Sequence, residues 1–326
     1  MRRFAHRLFR HLLPWLVSGL ALGWVFGFKT DWQALLAATA RADVPRFVAI
    51  QAIDKLVFFA AWTLIQAAAI RTFVLPVPVG SVVSIRGGSE LVRAVHNSLG
   101  DGLFLIGLSR LARGRTTEIL GATTLPFVCH FLVLLTQATL SLALLDGGLA
   151  ANRDVAWSAA IGWAVLVAGV VMLRTGRSWR WLSASSLGAL IDRLTWRRFL
   201  PFLGTFVCLA SFDVLIQGLA VHSFGLPIPW LALAARIPLL YAAMSLPSFG
   251  SFGTRELAWS AAFAGLAPHD GLVAYAFATN AVFLVMNVGV GAIFLPRAIE
   301  LVAQLRRAEA LGESVPEPLL HDAVDP

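Results

Sequence analysis

The stretch LPSFGSFGTRE, Leu246 to Glu256, places an arginine and a glutamate directly behind a proline and two glycines in a very apolar chain. Charges at membrane depth are expensive and sit where a cavity or a partner satisfies them. A helix broken at that depth needs protein or water over its freed backbone groups. A helix starting near Thr254 also turns its unpaired N–H groups, with their partial positive charge, towards whatever fills the break. The chemistry on offer is capture of an anion or a lipid headgroup by Arg255. Glu256 then serves as the counter-charge when the site is empty, and Gly250 and Gly253 let the backbone come close. The competing reading is a cytoplasmic turn followed by an ordinary helix with Glu256 in its first turn.

A second constellation lies in IRGGSELVRAVHNSLGDG, Ile85 to Gly102. Glu90 and Arg93 are three apart and share a face of any helix that forms, and Arg86 stands before a Gly87-Gly88 break. Phe73 to Gly114 is therefore expected to be a re-entrant or interfacial element on the cytoplasmic side; a solvated loop with a surface salt bridge is the alternative. Asp213 and Arg236 lie inside apolar runs on neighbouring spans. They are expected to form an outer pair that exchanges with a headgroup passed on from Arg93 and Arg255. The alternative for both pairs is an ordinary ion pair holding helices together. Asp54 and Lys55 project about 100° apart on a helix and need not pair with each other; Lys55 either snorkels to an interface or has a functional partner.

Catalysis needs placed nucleophiles or acid–base groups, and few are present. His96 and His130 are far apart and have no carboxylate at ligand spacing. Phosphate-binding loops of the Walker type, zinc motifs and serine elbows do not occur. Cys129 and Cys208 sit in apolar runs as small packing residues, with no disulfide framework. The expectation is a non-enzyme without metal or cofactor. Any lipid it moves would be driven by a gradient, by the membrane potential or by simple equilibration. A different class of function also fits: an accessory membrane scaffold that holds lipid-biosynthesis enzymes through its tail.

The elements that must hold these residues follow from composition. The 326 residues are 58% hydrophobic and 13% charged, about half the charge fraction of a soluble domain. The reading is an all-α, polytopic integral membrane protein of about eight transmembrane helices with a re-entrant element and one broken helix. Its net charge of +8 reports orientation and attraction to anionic lipid, not nucleic-acid binding. Residues 1–11 form a basic cytoplasmic N-terminus and 12–295 the transmembrane domain. The tail, 296–326, is helical to about Leu311. Spans are expected at Leu12–Phe28 (a retained span, in preference to a cleaved signal peptide), Phe47–Ile70, Ile119–Leu145, Val155–Leu173, Phe199–Val221, Trp230–Leu246, the broken segment to Leu266, and Leu272–Leu295. Asn280 and Asn287 share a face of the last. Arg174 to Arg198 holds the strongest positive-inside signal, and Trp179–Trp196 can lie on the bilayer as an amphipathic helix. Eight crossings put the arginine-rich loops and both termini inside; seven would put the basic tail outside.

Two motifs together carry a resemblance. One is Gly-x-Glu-x-x-Arg over Gly88 to Arg93; the other is Leu-Pro, glycines, then Arg255-Glu256, with Gly265-Leu266 after it. The arrangement resembles the flippase-like lysylphosphatidylglycerol synthase transmembrane family of bacteria and archaea, over roughly 12–295. The hopanoid-biosynthesis-associated members of that family are of similar size. The resemblance implies an eight-helix inner-membrane fold with re-entrant pieces and a role in moving lipids between leaflets. The lipid would be an anionic or amphiphilic one, with hopanoid or isoprenoid types included. It also implies site residues at Glu90, Arg93, Pro247, Gly250, Gly253, Arg255 and Glu256. Phe249 and Phe252 depart from the commoner second motif. Large members add a soluble aminoacyl-transferase domain; only a short polar tail follows the last span here, so lysine transfer is not expected.

Overall fold

The computed structural model describes residues 32–112, 115–145, 152–174, 194–244 and 251–311, and within them the fold is all-helical. In chain order the helices are α1 (Trp32–Arg41), α2 (Val44–Phe73), α3 (Val79–Val95), α4 (Asn97–Leu111), α5 (Thr116–Leu144), α6 (Arg153–Arg174), α7 (Trp196–Ser223), α8 (Trp230–Met244), α9 (Thr254–Ala262) and α10 (His269–Leu311). Four stretches, Val44–Phe73, Thr116–Leu144, Trp196–Ser223 and His269–Arg307, are long and apolar enough to cross a membrane. The chain thus has the character of a membrane protein. The expected first span and the Trp179–Trp196 surface helix fall almost wholly outside the described residues, although Trp196 itself opens α7.

Local sequence explains the element ends. Asp43 caps α2 by accepting from the Arg46 N–H at 3.2 Å, with Pro45 in the first turn, a position where its missing N–H costs nothing. Pro76 and Pro78 interrupt the chain between α2 and α3, as proline without an N–H must. Residues 32–41, between the first two expected spans, form the short helix α1.

The re-entrant expectation for 73–114 takes the form of two consecutive helices, α3 and α4, packed on each other, with α3 lying chiefly against α10. The expected Gly87-Gly88 break does not occur: α3 runs unbroken through both glycines. Their role is close approach. A Cβ on Gly88 would come within 2.6 Å of the Ala298 Cβ, and one on Gly291 within 2.6 Å of the Leu91 backbone nitrogen. Small residues at such crossings let helix backbones touch where no hydrophobic effect drives association.

The broken segment also differs from expectation. α9 has nine residues and rises about 14 Å, well short of the roughly 30 Å hydrocarbon layer. By itself it is not a seventh crossing. α8 and α9 pack on each other and α9 on α10. The turn before α8 (Phe224, Leu226, Ile228) and the end of α9 (Phe263) share one apolar cluster with Leu272 and Tyr275 of α10. The hairpin's two ends therefore lie at the same end of the bundle. Such a hairpin preserves the sidedness of all that follows, as two full crossings would. A second cluster joins α2, α3, α4, α5 and α7 with Leu301 and Leu305 of α10. Between the two clusters the helices leave a cavity.

Candidate functional site

The cavity has a volume of about 530 Å³ and is walled by α2, α3, α4, α5, α7, α8, α9 and α10. On one side stands a shell of ion pairs centred on Glu90, which is 1% exposed. Lys55 Nζ lies 3.0 Å from Glu90, Arg93 Nε 2.9 Å and Arg86 Nε 3.4 Å. Arg86 and Arg93 also reach Asp101 of α4, Arg86 at 3.5 Å, and the Arg86 guanidinium lies over the Phe104 ring. This shell fastens α2, α3 and α4 together. The expected Glu90–Arg93 pair is present. Lys55 does not snorkel; it is committed to Glu90, 35 residues away in the chain.

The other side carries two carboxylates. Asp54 accepts from Gln217 Nε2 at 3.3 Å, Gln217 Oε1 accepts from the Tyr275 hydroxyl at 2.7 Å, and Gln51 donates to that hydroxyl at 3.2 Å. Asp213 accepts from the Tyr241 hydroxyl at 2.9 Å. Asp54 and Asp213 are each 3% exposed. Buried polar groups ordinarily find partners, yet Asp54 Oδ1 has none.

Arg255 enters the cavity from the first turn of α9. Its guanidinium rests over the Phe283 ring, 4.9 Å from the centroid, and its buried Nε has no partner. A cation over an aromatic face is weakly held and remains free to bind an anion. Around it, Asn97 donates to the Ser251 hydroxyl at 3.1 Å and Asn280 to the Ser251 carbonyl at 3.3 Å. The foot of the broken segment is thus tied to α4 and α10.

The other expected site residues are placed differently. Glu256 is fully enclosed and does not line the cavity. Its Oε2 accepts the Gly253 N–H at 2.7 Å and its Oε1 accepts from Asn280 at 3.0 Å. That is the capping geometry of the bland reading, and Glu256 is no counter-charge at contact distance from Arg255. Gly253 has φ 82° at this cap, a conformation glycine adopts without strain, and it is not on the cavity wall either. Gly250, with Pro247 and Phe249, lies outside the described residues. Asp213 and Arg236 do not pair: Arg236 donates to Asn152 at 3.1 Å and lies 3.8 Å from Asp154. Arg236 sits one and a half turns before Tyr241 on α8, on a face turned to the start of α6 instead of α7.

Gln217, Tyr241 and Tyr275 were missed by sequence reasoning. The available signal was their polarity inside runs otherwise apolar over two turns, the cue that did draw attention to Asp54 and Asp213. Among the described residues no group of three or more His, Cys, Asp or Glu side chains is arranged to hold a metal ion. His130 is packed among Trp62, Phe206 and Tyr241 rings. Compared with known proteins, the chain matches no family model, no curated protein and no solved structure.

Proposed function

We propose that this chain is an integral inner-membrane protein that moves an anionic or amphiphilic lipid between leaflets, with its headgroup in the cavity and its acyl chains left in lipid. The observation that carries the reading is Arg255: a cation lining a cavity among long apolar helices, its buried Nε unpartnered and, among the described residues, no carboxylate at ion-pair distance. A buried unpaired charge is costly, and a bound anion removes that cost. A guanidinium also offers a planar two-pronged donor that matches phosphate. The resemblance to the flippase-like transmembrane family points the same way, with Arg255 and the Glu90–Arg93 motif at its two signature positions. With the α8–α9 hairpin in place of two of the eight expected crossings, both termini stay cytoplasmic and the arginine distribution is still accounted for.

The test uses the full chain in vesicles containing fluorescently labelled phosphatidylglycerol, with leaflet exchange read by dithionite quenching and normalised to folded protein. Arg255→Lys keeps the charge and loses the fork; exchange is expected to fall at least tenfold, and Arg255→Ala to abolish it. Normal rates in both variants refute the reading and favour an accessory role beside lipid-biosynthesis enzymes.

A further inference from the structure

The cavity's charges balance. Four cations line it, Lys55, Arg86, Arg93 and Arg255, and four carboxylates, Asp54, Glu90, Asp101 and Asp213. Three of the cations are held around Glu90 and Asp101. What remains in the cavity is Arg255 with Asp54 and Asp213; behind the wall the buried Glu256 cap also acts on Arg255 through space, without contact. Arg255 acts on Asp54 and Asp213 through space and reaches neither at ion-pair distance. Asp54 and Asp213 repel each other; Arg255 offsets both, and Lys55, committed to Glu90, also offsets Asp54.

If an anion takes Arg255, as the proposed function requires, the two carboxylates lose that offset and the cavity gains a net negative charge. Moving a net charge through the bilayer centre costs several kcal/mol. Protonating one carboxylate restores neutrality. An acceptor is at hand: Asp54 lines the cavity, and its Oδ1 is buried and unpartnered.

We infer that Asp54 and Asp213 form a proton-binding site coupled to the anion site at Arg255, so that the headgroup and one proton enter the cavity together. The inference rests on the proposed function. The proton comes from water and goes to a carboxylate oxygen; no bond in the lipid changes. The polar line Gln51–Tyr275–Gln217–Asp54 holds Asp54 from α2, α7 and α10, and Tyr241 of α8 holds Asp213. The other ionisable groups at or beside the cavity are Lys55 of α2, which is bound to Glu90, His96 between α3 and α4, Tyr275 of α10, and His130 of α5, which touches Tyr241 edge-on. Linkage fixes the sign. Anion binding at Arg255 raises the proton affinity of the pair, so lowering the pH must tighten anion binding by the same coupling. One proton per anion means an apparent Kd that falls about tenfold per unit drop in pH.

The probes are dihexanoyl-phosphatidylglycerol and dimethyl phosphate, which carries the same monoanionic group without chains. Binding to detergent-solubilised full-length protein is followed by calorimetry in buffers of different ionisation heat, over about pH 5 to 8, which counts protons directly. Uptake approaching one proton per anion somewhere in that range is expected with whichever probe binds; binding of the lipid alone identifies the source as a membrane lipid. Asp54→Asn with Asp213→Asn should make binding pH-independent and abolish uptake. His96→Gln and His130→Phe, which remove the histidine rings lining and adjoining the cavity, should each leave uptake in place. Binding by the wild-type protein without proton uptake overturns the inference and leaves the proposed function standing, and this arm needs no variant to fold. Uptake that persists in the double Asn variant, or disappears in His96→Gln or His130→Phe, also overturns it. Failure of both probes to bind at any pH overturns the proposed function, and the inference with it.

Discussion

Replacing Glu90 by glutamine removes the one charge that three cations share. The variant keeps the size of the side chain and part of its hydrogen bonding, so the effect isolates the ion pairs. Removing one partner of a buried pair typically costs about 3–5 kcal/mol, because the charge left behind is uncompensated. Two features set the magnitude here. Arg86 and Arg93 keep Asp101, whose side chain is 42% exposed, whereas Lys55 is left with no other carboxylate in contact. The exposed fractions of Lys55 and Arg93, 15% and 14%, admit some screening. The expected loss is therefore near the lower bound, about 3 kcal/mol, or roughly 100-fold in the folding equilibrium. Combining Glu90→Gln with Lys55→Met removes the stranded ammonium and should recover about 1–2 kcal/mol, the size of coupling typical of contacting residues. The assay is unfolding by increasing dodecyl sulfate mole fraction in mixed micelles, followed by tryptophan fluorescence. A Glu90→Gln variant within about 1 kcal/mol of the wild type would refute the reasoning, as would a double variant whose loss equals the sum of the singles.

Glu256→Gln should lose only about 1 kcal/mol, since it weakens a cap without stranding the Gly253 N–H, and should keep lipid exchange per folded protein near normal; a strong loss of exchange would return Glu256 to the mechanism. Gly291→Ala should destabilise by about 1–3 kcal/mol through overpacking against the Leu91 backbone, read in the same unfolding assay, and an unchanged midpoint would mean that α3 and α10 are less tightly seated than their contact shows. A cysteine introduced at Ser178 should react with impermeant maleimide only from the cytoplasm and one at Gly148 only from outside; labelling of both from one side would refute this topology.

Much of the fold is legible in the chain because lipid solvent leaves few options. Apolar runs long enough to cross must be helices, and the expected spans at Phe47–Ile70, Ile119–Leu145, Val155–Leu173 and Phe199–Val221 coincide with α2, α5, α6 and α7. Continuation of the last helix to Leu311 was also readable, although Pro296 lies inside it. The Gly87-Gly88 pair was misread because a glycine's conformational freedom and its smallness give the same letter in a sequence; here packing against α10 uses the smallness. Arg236 was misread for a similar reason. Two opposite charges on consecutive spans look like partners, but which face of α8 meets α7 and which meets α6 depends on helix rotation, which one isolated charge does not encode. Conversely, the Glu90–Arg93 pair was legible because a spacing of three fixes a shared face whatever the rotation.

The same distinction separates structural from functional charge inside the cavity. A charge whose donors or acceptors are all answered by protein already has its lowest-energy surroundings, and a ligand must displace those partners to use it. Glu90 with its three cations is in that state, and so is Glu256 with Gly253 and Asn280. Arg255 and Asp54 are not: among the described residues Arg255 has no carboxylate at ion-pair distance, and Asp54 keeps a buried Oδ1 without a partner. Unsatisfied groups of opposite sign in one cavity, neither at contact distance from the other, are stable only if something mobile completes them. In the loaded state proposed above, an anion at Arg255 and a proton at Asp54 would answer both and keep the cavity neutral with its cargo inside. The sequence placed Arg255 at the foot of a broken helix. The structure adds a carboxylate pair without a cation at contact distance, and that pair makes a coupled anion–proton site a sharper reading than an anion site alone.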